Sequence, residues 1–324
     1  MTGSSTPAPV LRGVSVRACA KINLDLRVLG IRPDGFHELR TVFQAIALHD
    51  VVTCIARPGP MAVECDVPGV PLDSSNLVWR AAQGLWTAAG RDGEVHDLLV
   101  RIEKQIPLQA GLGGGSADAA ATLAGLVRLW KLTLPPAVIG DMAAALGADV
   151  AFFLSGGTAL GLGRGEEIYP LADLPDHWVV LLVPEFGVST KDAYAWWDAD
   201  HLSARGPVPR EPQFVPGPWP SRAAQMINDL EAPIARHHPE IEQMKAALRK
   251  VGALAAAMTG SGSTVFGLFQ KRSDATRAAS ALDGRGWRVV LTRSLGRAAF
   301  ARLARPVALR HVNLLAGSRK SRLH

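Results

Sequence analysis

The stretch Pro107-Leu-Gln-Ala-Gly-Leu-Gly-Gly-Gly-Ser-Ala-Asp-Ala-Ala120 decides how this chain is read. Glycine fills four of the five positions from Gly111 to Gly115. Ordering glycine costs more backbone entropy than ordering any other residue, so this density belongs where backbone must approach something closely or take a positive φ. After Ser116 the residues turn small and apolar, and a helix is expected from about Ala117 to Trp130. A helix start leaves its first N–H groups unpaired. A glycine loop running into one makes a cradle for anions such as phosphate. One helix end contributes only about 0.3–1 kcal/mol to holding a charge, so a polyphosphate needs several loop amides acting together. Two other phosphate loops fit less well. A Walker A loop requires Gly-Lys-Ser/Thr, whereas Gly115 is followed by Ser116 and Ala117, and the dinucleotide fingerprint requires glycine where Ser116 stands. A glycine turn serving only helix packing is the plainer alternative.

Upstream, Ile22, Leu24, Leu26 and Val28 alternate with Asn23, Asp25 and Arg27, which predicts a strand over 14–29. The period of two places Lys21, Asn23 and Asp25 on the face opposite the apolar row. Arg32 to Gly35 is a turn. Strands are expected near 40–48, 50–56 and 98–103, with a helix over 76–89 that Asp73 or Ser74 can cap. Downstream, Pro135-Pro136 opens a helix ending at Gly147. Residues 150–168 read as a glycine-rich hairpin and His177 to Val183 as a buried strand. The stretch 205–220 holds six prolines and reads as a surface excursion. Helices near 221–235, 238–251 and 273–282, a strand-loop-strand unit over 255–269 and a strand near 286–292 complete the pattern. Strands mix with helices in both halves without strict βαβ alternation, so the expected class is α+β. The expected organisation is a disordered N-terminus over 1–12, a first domain over 13–174, a second over 175–304 and a basic tail over 305–324.

The bulk numbers agree with two globular domains. The chain has 324 residues, 48% hydrophobic and 20% charged, enough for two cores. Its three cysteines, Cys19, Cys54 and Cys65, have neither CxxC spacing nor an even count. That argues against a disulfide framework or a zinc site and for a reducing compartment. The first residues carry no apolar run of the secretory kind, and no aliphatic string is long enough to span a bilayer. A cytoplasmic protein without a membrane partner is expected. The formal net charge of +6 includes five basic residues and no acid between Arg305 and His324. The body is therefore close to neutral and does not suggest a nucleic-acid partner.

Four further motifs carry candidate chemistry. In Ala20-Lys-Ile-Asn-Leu-Asp-Leu26, Lys21 and Asn23 share a polar face, which by itself also describes a solvated edge strand. In Gly147-Ala-Asp-Val-Ala-Phe-Phe153, Asp149 falls between a helix stop and an apolar strand, where an acid can simply be a turn residue or a cap. Met258-Thr-Gly-Ser-Gly-Ser-Thr-Val-Phe266 is a second glycine-rich stretch, equally compatible with a tight turn. In Asp34-Gly-Phe-His-Glu-Leu39, Phe36 and His37 can stack on a pyrimidine and bond its edge, or be a core ring beside a surface imidazole.

Taken together, the loop over 107–120 and the motifs at Lys21, Asp149 and Gly260 resemble those of the family named for galactokinase, homoserine kinase, mevalonate kinase and phosphomevalonate kinase. The resemblance covers roughly residues 14–300. It implies a two-domain small-molecule kinase fold, with an N-terminal half like domain 2 of ribosomal protein S5 and a ferredoxin-like C-terminal half. It implies ATP and Mg²⁺, with no metal ligand assigned. ATP would be held by Pro107, Leu108, Gln109, Ala110, Gly111, Leu112, Gly113, Gly114, Gly115, Ser116 and Ala117. It makes Asp149 the general base and Lys21 its electrostatic partner. Asn23 orients the substrate, and Gly260, Ser261 and Gly262 form the motif that folds against the phosphate loop. The Gly-Leu-Gly-Gly-Gly-Ser-Ala-Asp form of the loop and the motif over 34–39 resemble one branch in particular. That branch phosphorylates the 2-hydroxyl of a cytidine diphosphate-linked methylerythritol in non-mevalonate isoprenoid precursor synthesis. It implies Phe36 and His37 at the cytosine, although the branch also places tyrosine at position 36, so a contact needing that hydroxyl is missing here. The segment Phe186 to Tyr194 resembles a substrate-side segment, from which Thr190 or Phe186 would close a cytosine sandwich. Family kinases for homoserine or mevalonate and a non-catalytic nucleotide sensor are the competing readings. A monomer or a homodimer is expected.

Overall fold

The computed structural model describes residues 11–202 and 226–312. The proline-rich stretch over 205–220 and the expected start of the helix over 221–235 lie outside these. The first half runs β1 (Leu11–Ile31), β2 (His37–Pro60), β3 (Ala62–Cys65), α1 (Leu77–Ala88), β4 (His96–Glu103), α2 (Gly114–Leu129), α3 (Pro136–Leu146), α4 (Phe152–Ser155), β5 (Thr158–Gly163) and β6 (Glu167–Pro170). The second runs β7 (Trp178–Pro184), α5 (Thr190–Leu202), α6 (Glu231–His237), α7 (Glu240–Lys250), β8 (Ala255–Met258), β9 (Val265–Phe269), α8 (Arg272–Leu282), β10 (Trp287–Arg293), α9 (Arg297–Leu303) and β11 (Val307–Val312). The architecture is two-domain α+β. One sheet carries the order β11-β1-β2-β4-β3, with β5 and β6 continuing from β2, and the other the order β10-β7-β9-β8.

The long strand β1 joins the two halves. It bends at bulges near Cys19, Asn23 and Val28, which raise local twist and re-aim side chains. Its apolar face, Ala20, Ile22 and Leu24, packs with Val179, Leu181 and Phe266 of the second sheet. Its polar face turns inward as well, since Lys21 and Asn23 are each 3% exposed. The solvated-edge alternative is thereby excluded. The free side of β1 at this level is covered by the glycine loop, where Lys21 N–H donates to the Leu112 carbonyl at 3.1 Å.

Several expectations need correction. Helix α2 starts at Gly114, three residues earlier than its composition suggests, so Gly114, Gly115 and Ser116 form its first turn. Asn76 caps α1, its side chain accepting from Val78 N–H; Asp73 instead closes the preceding turn through Ser75. Asp149 leads into the short helix α4 rather than a strand, and the hairpin is formed by β5 and β6. Residues 307–312, expected to open a frayed tail, pair antiparallel with β1 from Ser15 back to Leu11. Leu11, expected in the disordered start, already belongs to that pairing. The three cysteines are free thiols, and burial pushes those of Cys19 and Cys54 up to about 12. Among the described residues no helix is long and apolar enough to cross a membrane.

Candidate active site

A cavity of about 1090 Å³ runs between the two halves. Its floor is the glycine loop. Gly113 is the N-cap of α2, with φ 72°, and no side chain caps the helix. A Cβ there would stand 2.8 Å from the Phe153 ring and 3.1 Å from Lys21 Cγ, so only glycine lets the loop pass between them. Gly111, also at φ 72°, presses on the Thr259 carbonyl, which an added Cβ would meet at 2.1 Å. The first-turn N–H groups of α2 have no intrahelical acceptor. Gly114, Gly115 and Ser116, which carry them, line the cavity. This donor set fits a phosphate chain. Pro107 to Ser116 all line the cavity, whereas Ala117 is buried beneath it at 1% exposure.

At the end of the loop stand Lys21 and Asp149, with Nζ 3.3 Å from Oδ2. The lysine side chain is 4% exposed and the aspartate 30%, so the pair is rooted in the core and opens to the cavity through its acid. Lys21 Nζ also donates to Asn23 Oδ1 at 2.7 Å, and Asn23 Nδ2 donates to Thr41 Oγ1 at 2.7 Å. Asn23 is thus engaged in fixing the ammonium. Thr259, fully buried, ties the groups together. Its hydroxyl accepts from Asn23 N–H at 2.9 Å and lies 3.4 Å from the Gly111 carbonyl. Gly260 and Ser261 line the cavity beside it. Gly262 does not; a Cβ added there would meet Met258 Sδ at 3.1 Å. Asn228 holds this segment by donating to the carbonyls of Met258 and Gly260 at 3.0 and 2.8 Å.

A second charged cluster sits under the start of α2. Lys104 Nζ donates to Asp50 Oδ2 at 2.5 Å and Asp118 Oδ2 at 2.7 Å. Burial, opposed by Lys104, pushes the Asp118 carboxyl up to about 8. Asp50 Oδ1 accepts the N–H groups of Gln105 and Ile106 at 2.5 and 2.8 Å. The cluster therefore anchors the strand end that leads into the loop.

At the far end of the cavity stand Phe36 and His37. Phe36 is 54% exposed, with the Arg164 guanidinium 5.1 Å from its ring centre. His37 stacks on Tyr194 at 4.5 Å and hydrogen-bonds Asp198. Thr190 lines the cavity but faces the second glycine stretch, 3.2 Å from Ser261 Oγ. Phe186 stacks on His238 at 4.2 Å and is not among the cavity's lining residues; the expectation that it closes a base sandwich is not met. Thr259, Asn228, the Lys104 cluster and Asp198 were not singled out from the sequence. Of these, only Asp198 had a readable signal, lying one helical turn beyond Tyr194. Among the described residues no group of three or more His, Cys, Asp or Glu side chains is arranged to hold a metal ion.

The fold, the amide cradle and the acid–amine pair together describe a small-molecule kinase. The family model for the GHMP kinases N terminal domain matches residues 76–157, and that for the GHMP kinases C terminal matches residues 219–288. The chain belongs to the GHMP kinase family. Within it, the chain is 43% identical over 286 residues to the 4-diphosphocytidyl-2-C-methyl-D-erythritol kinase of Moorella thermoacetica, covering 87% of this chain and 99% of that protein. It is 41% identical to the kinase of the same name from Geobacillus thermodenitrificans, covering 87% and 97%. A crystal structure of 4-(cytidine 5'-diphospho)-2C-methyl-D-erythritol kinase superposes with a TM-score of 0.69 at 33% identity, over 87% of this chain and 99% of that one. The crystal structure of L. major mevalonate kinase in complex with R-mevalonate gives 0.66 at 14% identity over 87% and 96%, which is a likeness of fold.

Proposed function

We propose that this kinase transfers the γ-phosphoryl group of ATP to the 2-hydroxyl of 4-diphosphocytidyl-2-C-methyl-D-erythritol, giving the 2-phosphate and ADP. The observation that carries the reading is the 3.3 Å Lys21–Asp149 pair at the end of an amide cradle, in one cavity with Phe36 and His37. The relatives of the same name support it.

Asp149 accepts the proton of the substrate hydroxyl as its oxygen attacks the γ-phosphorus and the bond to ADP breaks. General base catalysis of this kind is worth about 10²–10⁴-fold. Lys21, held by Asn23, faces the negative charge that develops on the attacking and phosphoryl oxygens; preorganised charge in a site of low exposure is effective because it need not reorient during the step. The loop amides hold the phosphates in line. Mg²⁺, held chiefly through phosphate oxygens and water, would neutralise further charge. Phe36 and His37 stand where a base at the other end of the substrate would rest. A cytoplasmic setting, with its ATP pool, belongs to the same proposal.

A coupled ADP-release assay tests it. The cytidyl substrate should turn over, while homoserine and mevalonate should not. Turnover of either of these, with none of the cytidyl compound, would overturn the assignment.

A further inference from the structure

His37 is more than a ring at the mouth of the cavity; its protonation pattern is set by a neighbour. His37 Nε2 lies 2.8 Å from Asp198 Oδ1. An ionised carboxylate only accepts hydrogen bonds, so Nε2 must carry the proton. In a neutral imidazole the other nitrogen, Nδ1, then presents a lone pair. The ring is held in this pose. Tyr194 stacks on it at 4.5 Å with 25° between planes, and Trp197 meets it edge-on at 5.7 Å. Tyr194, Trp197 and Asp198 all come from α5, at spacings that share one helix face. The His37 side chain is 12% exposed, and no hydrogen bond to its Nδ1 is found among the described residues. Both His37 and Asp198 line the cavity.

We infer that Asp198 is a specificity-determining positioning residue: by fixing His37 with Nε2 protonated, it makes Nδ1 an acceptor that selects a 4-amino pyrimidine over a 4-keto one. Cytosine offers an amine donor where uracil offers a carbonyl acceptor. A fixed lone pair bonds the first and opposes the second. Removal of the carboxylate leaves the ring free to take the other tautomer, and the distinction between the two bases fades. This rests on the cytidyl substrate reading above.

The test compares kcat/KM for the cytidyl substrate and its uridyl counterpart in the wild type, Asp198→Asn and Asp198→Ala. A site built to bond one polar group rejects an analogue that leaves it unpaired by about tenfold or more. The wild-type preference for cytidyl should therefore fall by at least about tenfold in Asp198→Ala, which leaves Nε2 without an acceptor, and by less in Asp198→Asn, whose amide oxygen still accepts from it. The change should lie in KM, with kcat on the cytidyl substrate little altered. Equal losses on both substrates, with the preference intact, would mean that Asp198 only ties α5 to β2, and would overturn the inference alone. A wild type without any preference would overturn the substrate reading too. Long-range ¹⁵N spectra of the wild type, assigned by loss of one signal in His37→Ala, decide the matter even if the Asp198 variants fold poorly. Protonated Nε2 with bare Nδ1 supports the inference, and a protonated Nδ1 refutes it.

Discussion

Alanine at Gly113 and alanine at Gly115 should have opposite effects on the free protein, although the two sites are two residues apart in one loop. Gly113 sits at φ 72°, where a residue with a Cβ loses about 1–2 kcal/mol. The added methyl would also stand 2.8 Å from the Phe153 ring and 3.1 Å from Lys21 Cγ. Overpacking of this kind costs about 1–3 kcal/mol, so Gly113→Ala should lose about 2–5 kcal/mol in all. Gly115 lies in the first turn of α2, and a Cβ there meets nothing within 4 Å. Replacing glycine by alanine gains roughly 0.5–1 kcal/mol in the middle of a helix and less in its first turn, where glycine is better tolerated. The same methyl would enter the cavity where the proposed function puts the phosphates, and ATP affinity should drop about tenfold or more, equivalent to about 1.4 kcal/mol. Urea unfolding of the ligand-free variants and calorimetric titration with an ATP analogue read the two effects separately. Gly113→Ala should unfold at lower urea than the wild type, and Gly115→Ala at the same or higher urea but with weakened nucleotide binding. Equal stability of the two variants, or undiminished nucleotide affinity in Gly115→Ala, would refute the description of the loop as a cradle closed by Phe153 and Lys21.

Two other outcomes follow from the packing and the charges. Asp118 has its carboxyl raised from the ordinary 3.8 to about 8 by burial, so the folded chain holds that proton more tightly than the unfolded one. The stability this contributes is fully present below about 3.8 and is lost as pH rises through about 8. The melting temperature of the wild type relative to Asp118→Asn should therefore fall between those limits, and a difference that stays constant with pH would contradict it. Truncation after Pro306 removes β11 and bares the β1 edge, which should lower the melting temperature and promote association, whereas truncation after Val312 keeps the strand. Identical melting of the two truncated chains would show that β11 carries no weight.

Much of the site was legible because it rests on local chemistry. Glycine density before a helix predicts an amide cradle without knowledge of the tertiary structure. Lys21 and Asp149 were visible as motif residues, but each also had a plain local reading, as a solvated strand face or a turn. What separates the readings is burial, and burial is tertiary. Lys21 is enclosed only because the second domain covers the apolar face of β1 while the loop and Thr259 cover the polar one. Composition hides the start of α2 because Gly114 and Gly115 have poor helix propensity, and a position at the N-terminus, where no intrahelical bond is donated, tolerates them. The Lys104–Asp50–Asp118 cluster joins residues 14 and 54 positions apart, and no periodic pattern announces it. The strand β11 was hidden by its basic neighbours, since its pairing partner lies almost 300 residues away and its short run of apolar residues resembles any terminal segment.

The central claim is that Asp149 takes the hydroxyl proton beside Lys21. Its most direct test is single-turnover kinetics of Asp149→Asn with ATP and the cytidyl substrate, alongside calorimetric affinities for both. Binding should stay near normal and the phosphoryl-transfer rate should fall by at least about 10²-fold. A transfer rate close to that of the wild type would contradict it.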